Sequence, residues 1–396
     1  MSESGQGELA SATRTHAARM PHKQAVLAAA AAMMALLIAG VAQVARGQGR
    51  GTDWRAQFDQ IDAKMNGRGL SESLNTAGAL AWGESYILHA YAEMYRATGE
   101  EKYVARALEQ TERVMSNRDD RRQVVDAVRG RIIPAWGSTK YSSGRYEGQN
   151  HVWVVHTGMI TYPMTLLIDA IRADATLKAK YGERAELLLG LVRESVDAHD
   201  EDFRTGPGKG EGYYILAIRG PDAVAPLNQQ NAIGRSCIVL HKLTGETKYK
   251  EKAEALARYF KNRLIHRANE DAYVWPYMAP PSGRGRGAED ISHAAINVDF
   301  AVAAHRAGIV FTHQDMERFA STLTRLIHKG EGRLAECVDG SGKIDVHSVS
   351  VGRWLELAAY DREVWQVARH YYENAKPSGS VAMLGYARLL KYDVSR

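Results

Sequence analysis

Two stretches of the chain read almost alike: Met94-Tyr-Arg-Ala-Thr-Gly-Glu-Glu-Lys-Tyr-Val-Ala-Arg-Ala107 and Leu240-His-Lys-Leu-Thr-Gly-Glu-Thr-Lys-Tyr-Lys-Glu-Lys-Ala253. Each runs as helix to Thr-Gly, turns, and starts a second helix at Lys-Tyr. A glycine placed just past the last helical residue stops a helix by adopting a left-handed conformation that other residues resist. Gly99 and Gly245 are 245 − 99 = 146 residues apart, and weaker copies of the turn lie at Asp174 to Tyr181 and at Arg306 to Met316. The period is therefore about 70 residues, two helices plus a long connection.

The connections repeat too. Arg131-Ile-Ile-Pro-Ala-Trp136, Gly212-Tyr-Tyr-Ile-Leu-Ala217 and Ala272-Tyr-Val-Trp-Pro-Tyr277 are short β-like runs, and a fourth runs from Gly332 to Cys337. Each leads through a polar loop into a polar helix start: Gln149-Asn150-His151, Gln229-Gln230-Asn231, Asp290-Ile-Ser292-His293 and His347-Ser348. The helices that follow (Val152 to Leu167, Ala232 to Leu240, Ala294 to Ala304) are apolar nearly all round, which means burial on both sides. Those after the Thr-Gly turns carry a face rich in Lys, Arg and Glu. An inner ring sheathed by an outer ring follows: an all-α toroid of six or seven helical hairpins with short β-hairpin-like loops on one face. A straight superhelical stack is the competing geometry.

Length and composition agree with one large domain. Of 396 residues, 45% are hydrophobic and 24% charged, the balance of a folded protein and not of a disordered chain or a filament. The formal charge is 51 − 46 = +5, of which Arg14, Arg19, Lys23, Arg46 and Arg50 against Glu3 and Glu8 supply +3. No basic run remains, so nucleic acid is not the expected partner. With Cys237 and Cys337 alone, neither a disulfide scaffold nor a structural zinc cluster is expected, and free thiols are. The 19 Tyr and 7 Trp against 6 Phe suit a cleft that is flat, apolar and still hydrogen-bonding, as sugar sites are; helix-packing tyrosines are the plainer reading.

Residues 1–50 read as an export segment. Arg19, His22 and Lys23 precede an apolar run from Ala25 to Ala45, ending in Ala42-Gln-Val-Ala45. Cleaved, it yields a periplasmic or secreted domain over residues 51–396. Retained, residues 25–45 are long enough to anchor the domain to the inner membrane, outside the cytoplasm.

A toroid gathers its loops and inner-helix starts at one face. There the expected residues are Asn150, His151, Gln230, Asn231, Ser292, His293, Asn297, Glu84 and Arg353, with Trp136, Tyr214, Trp275, Tyr277, Arg284 and Arg286 from the loops. Helix N-termini favour anions, which makes an acidic polysaccharide the expected partner. Asn150 and His151 form the sharpest pair, an amide to hold a carboxylate beside an imidazole able to act as base; capping is the plain alternative. His293 and Asn297 share one helix face, but no further ligand stands at metal-binding spacing, so neither metal nor cofactor is expected. Tyr214 or Tyr277 can serve as an acid, and Arg284-Gly-Arg286 in a Pro/Gly loop can clamp an anionic chain. Glu84 and Asp290, with Glu147 and Glu211, are the carboxylates a hydrolase would need, but His, Asn and Tyr outnumber them at this face, which favours elimination.

Asn-His at an inner-helix start, with Tyr and Arg in the facing loops, resembles the α/α-toroid polysaccharide lyases of the alginate and glucuronan type. The resemblance spans roughly residues 53–396. It implies β-elimination on a uronic-acid polymer, with Asn150 and His151 neutralising the carboxylate and removing the C5 proton, and Tyr214 or Tyr277 protonating the leaving oxygen. Glucuronyl C5-epimerases share the toroid and the C5-proton step. Hydrolysis, C5-epimerisation and polysaccharide binding without catalysis are the alternative functions.

Overall fold

In the computed structural model the described residues are 52–283 and 285–393. Residues 1–50, expected to be an export segment, and Arg284 lie outside them. The described residues from Trp54 onward make one compact unit.

The Thr-Gly turns do what the sequence demands. Helix α2 (Ser85–Thr98) ends at Gly99, φ 70°, whose N–H bonds the Tyr95 carbonyl; α6 (Leu227–Thr244) ends at Gly245, φ 73°, whose N–H bonds His241. In both, the threonine hydroxyl donates four residues back, from Thr98 to Met94 and from Thr244 to Leu240, and accepts the N–H of the glutamate that opens the next helix. Those next helices are α3 (Glu101–Ser116) and α7 (Thr247–Lys261). The weaker copies open on side-chain caps, Asp174 for α5 (Ala175–Asp197) and Thr312 for α9 (His313–Ser321).

Six elements close the inner ring: α2, α4 (Val154–Ala173), α6, α8 (Ile291–Arg306), a 3₁₀ helix over Ser348–Ala359 and α11 (Ser380–Lys391), which packs back on α2. The outer partners are α3, α5, α7, α9, α10 (Arg362–Ala375) and, against α11, the first helix α1 (Trp54–Lys64). The ring is thus six hairpins, its last slot filled from the front of the chain. Helix α4 is long and apolar enough to cross a membrane, but 89% of its apolar window is buried in the toroid. Gly158 makes its packing possible: a Cβ there would stand 2.2 Å from the Ile233 nitrogen of α6.

The connections form antiparallel hairpins: β1 (Val125–Asp126) with β2 (Arg131–Ile132), β3 (Gly137–Ser138) with β4 (His151–Val152), β5 (Phe203–Thr205) with β6 (Gly212–Tyr214), and β7 (Ile265–Arg267) with β8 (Ala272–Val274). The run from Gly332 to Cys337 pairs only through isolated bridges, including Asp290 with Cys337. Both cysteines are free; Cys237 is buried in α6, where burial pushes its thiol up to about 12.

Candidate functional site

A cleft of about 400 Å³ opens where α2, α4, α6 and α8 begin. Its walls are Trp82 and Tyr86 from the start of α2, Tyr141 from the β3–β4 connection, Trp153 between β4 and α4, His156 from α4, and Tyr277 from the loop after β8. Asn228 and Gln229 of α6, Ser292, His293 and Ile296 of α8, and Arg219 complete it. That volume suits a small ligand of one or two rings.

Local structure puts each group there. The chain enters α2 through a widened π turn, Leu80–Glu84, that carries Trp82. Gly78, φ 80°, leaves room for the aromatic wall, since a Cβ would meet Trp82 at 2.7 Å and Tyr141 at 3.0 Å. Asn75 accepts the Ala81 N–H and donates from Nδ2 to His156 Nδ1 at 3.1 Å. Because Nδ1 accepts, His156 carries its hydrogen on Nε2. Burial drives His156 down to about 3, so the ring is neutral and serves as a donor. It stands edge-on to Trp82 and Tyr141, 5.7 and 5.4 Å between centroids.

Across the cleft, Asp290 caps α8 by accepting the Ser292 and His293 N–H groups, and its other oxygen takes the hydrogen of His293 Nδ1 at 2.5 Å. Burial opposes ionisation of Asp290, but His293 and the two amides outweigh it and hold the carboxyl below its usual range. Nε2 is the His293 ring nitrogen that Asp290 leaves unbonded. The Tyr277 ring lies 5.2 Å from it, and the Tyr277 hydroxyl receives a long bond, 3.5 Å, from Gln229 Nε2. Three polar atoms of the lining residues have no partner: Trp153 Nε1, Asn228 Oδ1 and Gln229 Oε1.

Of the residues expected from sequence, Tyr277, Ser292 and His293 line this cleft, and Arg353 lies just under it, its guanidinium 4.7 Å from the Tyr86 ring centroid. Arg286 is exposed.

The others are engaged elsewhere, and for them the expectation is corrected. His151 does not start a helix: it sits in β4, 3% exposed, with Nδ1 on Asp126 at 3.0 Å. Asp126 also takes the Val152 N–H and pairs with Arg129, which pairs in turn with Asp202, tying two connections together. Asn150 is no cap; its Nδ2 donates to Asp119 at 2.8 Å. Tyr214 is fully buried behind Phe203. Gln230 spans the Tyr214 N–H and the Ala225 carbonyl. Asn231 donates to Asn297, which donates with Trp275 Nε1 to buried Glu289, held well up by its burial. Trp136 donates to the Val114 carbonyl. Glu84 accepts the Leu70 N–H at 2.6 Å, and burial pushes its carboxyl up to about 8.

Sequence reasoning passed over Trp82, Tyr86, Tyr141, Trp153, His156, Arg219, Asn228 and Gln229. The signal was present for some: Asn228 and Gln229 adjoin the Gln230-Asn231 element, and Trp153 and His156 follow Asn150-His151 by a few residues.

This toroid is similar in fold to solved glycoside hydrolases. The GH76A α-1,6-mannanase of Salegentibacter sp. HEL1_6 superposes with a TM-score of 0.54 at 12% identity, covering 86% of this chain and 98% of the mannanase. An inactive variant of that enzyme, in complex with α-1,6-mannotriose, gives 0.53. A GH76 α-mannanase of Bacteroides thetaiotaomicron gives 0.56 at 11% identity, covering 86% and 96%. No family model and no curated protein matches the sequence. These similarities define an α/α toroid and correct the expected lyase: the similar structures are α-mannanases, and the Asn150-His151 pair on which elimination rested is spent on structural bonds.

Proposed function

We propose that the chain is a carbohydrate-active enzyme that holds a saccharide in the Trp82–Tyr141–Trp153 cleft and moves protons on it with His293 and Tyr277. The observation that carries this reading is the aromatic cleft itself, walled by Trp82, Tyr86, Tyr141, Trp153 and Tyr277 with Asn228, Gln229, Ser292 and His293 between them. Polar side chains between aromatic faces suit a ring that offers hydroxyls at its edge and C–H groups on its face. The likeness in fold to mannanases supports the same class of ligand. The basic-then-apolar run through residues 19–45 supports action outside the cytoplasm.

For the chemistry, Asp290 fixes the His293 tautomer so that Nε2 can take a proton, with Tyr277 beside it and the neutral His156 as donor from another helix. Glycoside hydrolysis ordinarily uses two carboxyl groups flanking the scissile bond. No Asp or Glu lines the cleft among the described residues; Asp290 is committed to His293, and Glu289 is buried against Trp275. The arrangement therefore favours histidine acid–base chemistry, an epimerisation or isomerisation of the sugar. The fold likeness favours hydrolysis as the second reading.

The test is to incubate the full chain with mannose- and glucose-based mono- and oligosaccharides in D₂O and follow the products by NMR. An epimer or isomer carrying solvent deuterium on carbon supports the first reading. New reducing ends without deuterium on carbon move the assignment to hydrolysis. Binding without product makes the chain a saccharide-binding protein.

A further inference from the structure

Beneath the cleft lies a cation with no counter-charge among the described residues. Arg353 is 1% exposed, and of its guanidinium nitrogens only Nη1 is engaged, on the Ser292 carbonyl at 2.9 Å; Nε and Nη2 have no partner. The ring of Tyr86, a cleft residue, covers it. Its neighbours in the toroid axis are paired: Arg235 and Arg388 share Asp299, at 3.3 and 2.9 Å, and Glu356 pairs with Arg388, Lys391 and Arg306. A buried charge is ordinarily paired and fully hydrogen-bonded, because removing it from water is costly.

Other features of the cleft have the same sign. Helices α4 and α6 begin at it with no side-chain cap, so their positive dipole ends converge on Trp153, His156, Asn228 and Gln229, with the first N–H of α6 taken by the Tyr277 carbonyl. Arg219 stands exposed in the wall with no acidic partner among the described residues. Asp290 opposes them, but its oxygens are taken by His293 and two amides, and burial against Trp275 holds the neighbouring Glu289 carboxyl well up.

We infer that the saccharide carries an anionic group, a carboxylate or a phosphate, which binds over the Tyr86–Ser292 side of the cleft and supplies the charge that Arg353 lacks. This rests on the saccharide reading and narrows its ligand class. Through a low-polarity floor, one such cation is worth a tenfold or larger preference for an anion.

Calorimetric titration of the full chain with glucose, glucuronate and glucose 6-phosphate tests it. At least one anionic sugar should bind ten times or more tighter than glucose, and which one does so separates carboxylate from phosphate. Arg353→Met should remove most of that preference while leaving glucose affinity near its starting value. Should that variant fail to fold, Arg219→Gln, at the surface, should still lower the preference, and raising salt should weaken the anion alone. Glucose binding as tightly as both anions overturns the inference while leaving the saccharide reading in place. Binding of none of the three counts against the saccharide reading itself.

Discussion

Asp290 and His293 are joined twice: one carboxylate oxygen accepts the His293 backbone N–H at 3.1 Å and the other holds its ring Nδ1 at 2.5 Å. Helix start and acid–base group are thus built by the same residue. Asp290→Asn separates the tasks, since asparagine caps a helix about as well as aspartate. Melting temperature should change by only a few degrees, while turnover falls about a hundredfold, the scale of a mispositioned base. Equal loss of both would reduce Asp290 to a cap.

Because Asp290 is held below its usual range in the fold, its contribution to stability is present above the ordinary aspartate value and disappears as pH falls through the lower folded value. Denaturant midpoints measured downward from about pH 4 should drop less steeply in Asp290→Asn than in the parent chain.

His151→Ala should destabilise without slowing the chemistry. It strips a partner from Asp126, a carboxylate at 0% exposure, and a loss of about 1–3 kcal/mol is expected from a broken buried bond. Turnover per folded molecule should stay near normal, as measured by activity corrected for the folded fraction.

Glu84 works in the opposite sense. Its carboxyl is pushed up to about 8 by burial, and Oε1 has no partner, as suits a neutral acid. The fold then binds a proton the unfolded chain releases, so stability falls as pH rises from about 4.3 towards 8. Glu84→Gln should flatten that slope and be the more stable protein at pH 8 in urea unfolding.

The ring was legible because Gly99 and Gly245 stop helices by backbone conformation, a local property written in one residue. That there are six hairpins was not, because α1 completes the last one by packing on α11 from the other end of the chain. At the site, the polar segments were found and the side chains misassigned. Helix α6 starts at Leu227, which turns Asn228 and Gln229 to the cleft and Gln230 and Asn231 into the ring. His151 lies in strand pairing opposite Ser138, and the helix begins only at Val154, so Trp153 and His156 face the cleft instead. The placing of Arg353 under Tyr86 depends on contacts between elements about 270 residues apart, which no local pattern records.

The central claim is that a saccharide occupies the aromatic cleft, and the most direct measurement is a titration of the chain with α-1,6-mannotriose, cellobiose and glucuronate, read by tryptophan fluorescence. Trp82 and Trp153 both line the cleft, whereas Trp54, Trp136, Trp275 and Trp354 are fully buried away from it. The account predicts a saturable change for at least one sugar, weakened about tenfold or more in Trp153→Phe, which shrinks one aromatic wall of the cleft. A chain whose fluorescence no sugar moves, or a Trp153→Phe variant that binds as tightly as the parent, would contradict it.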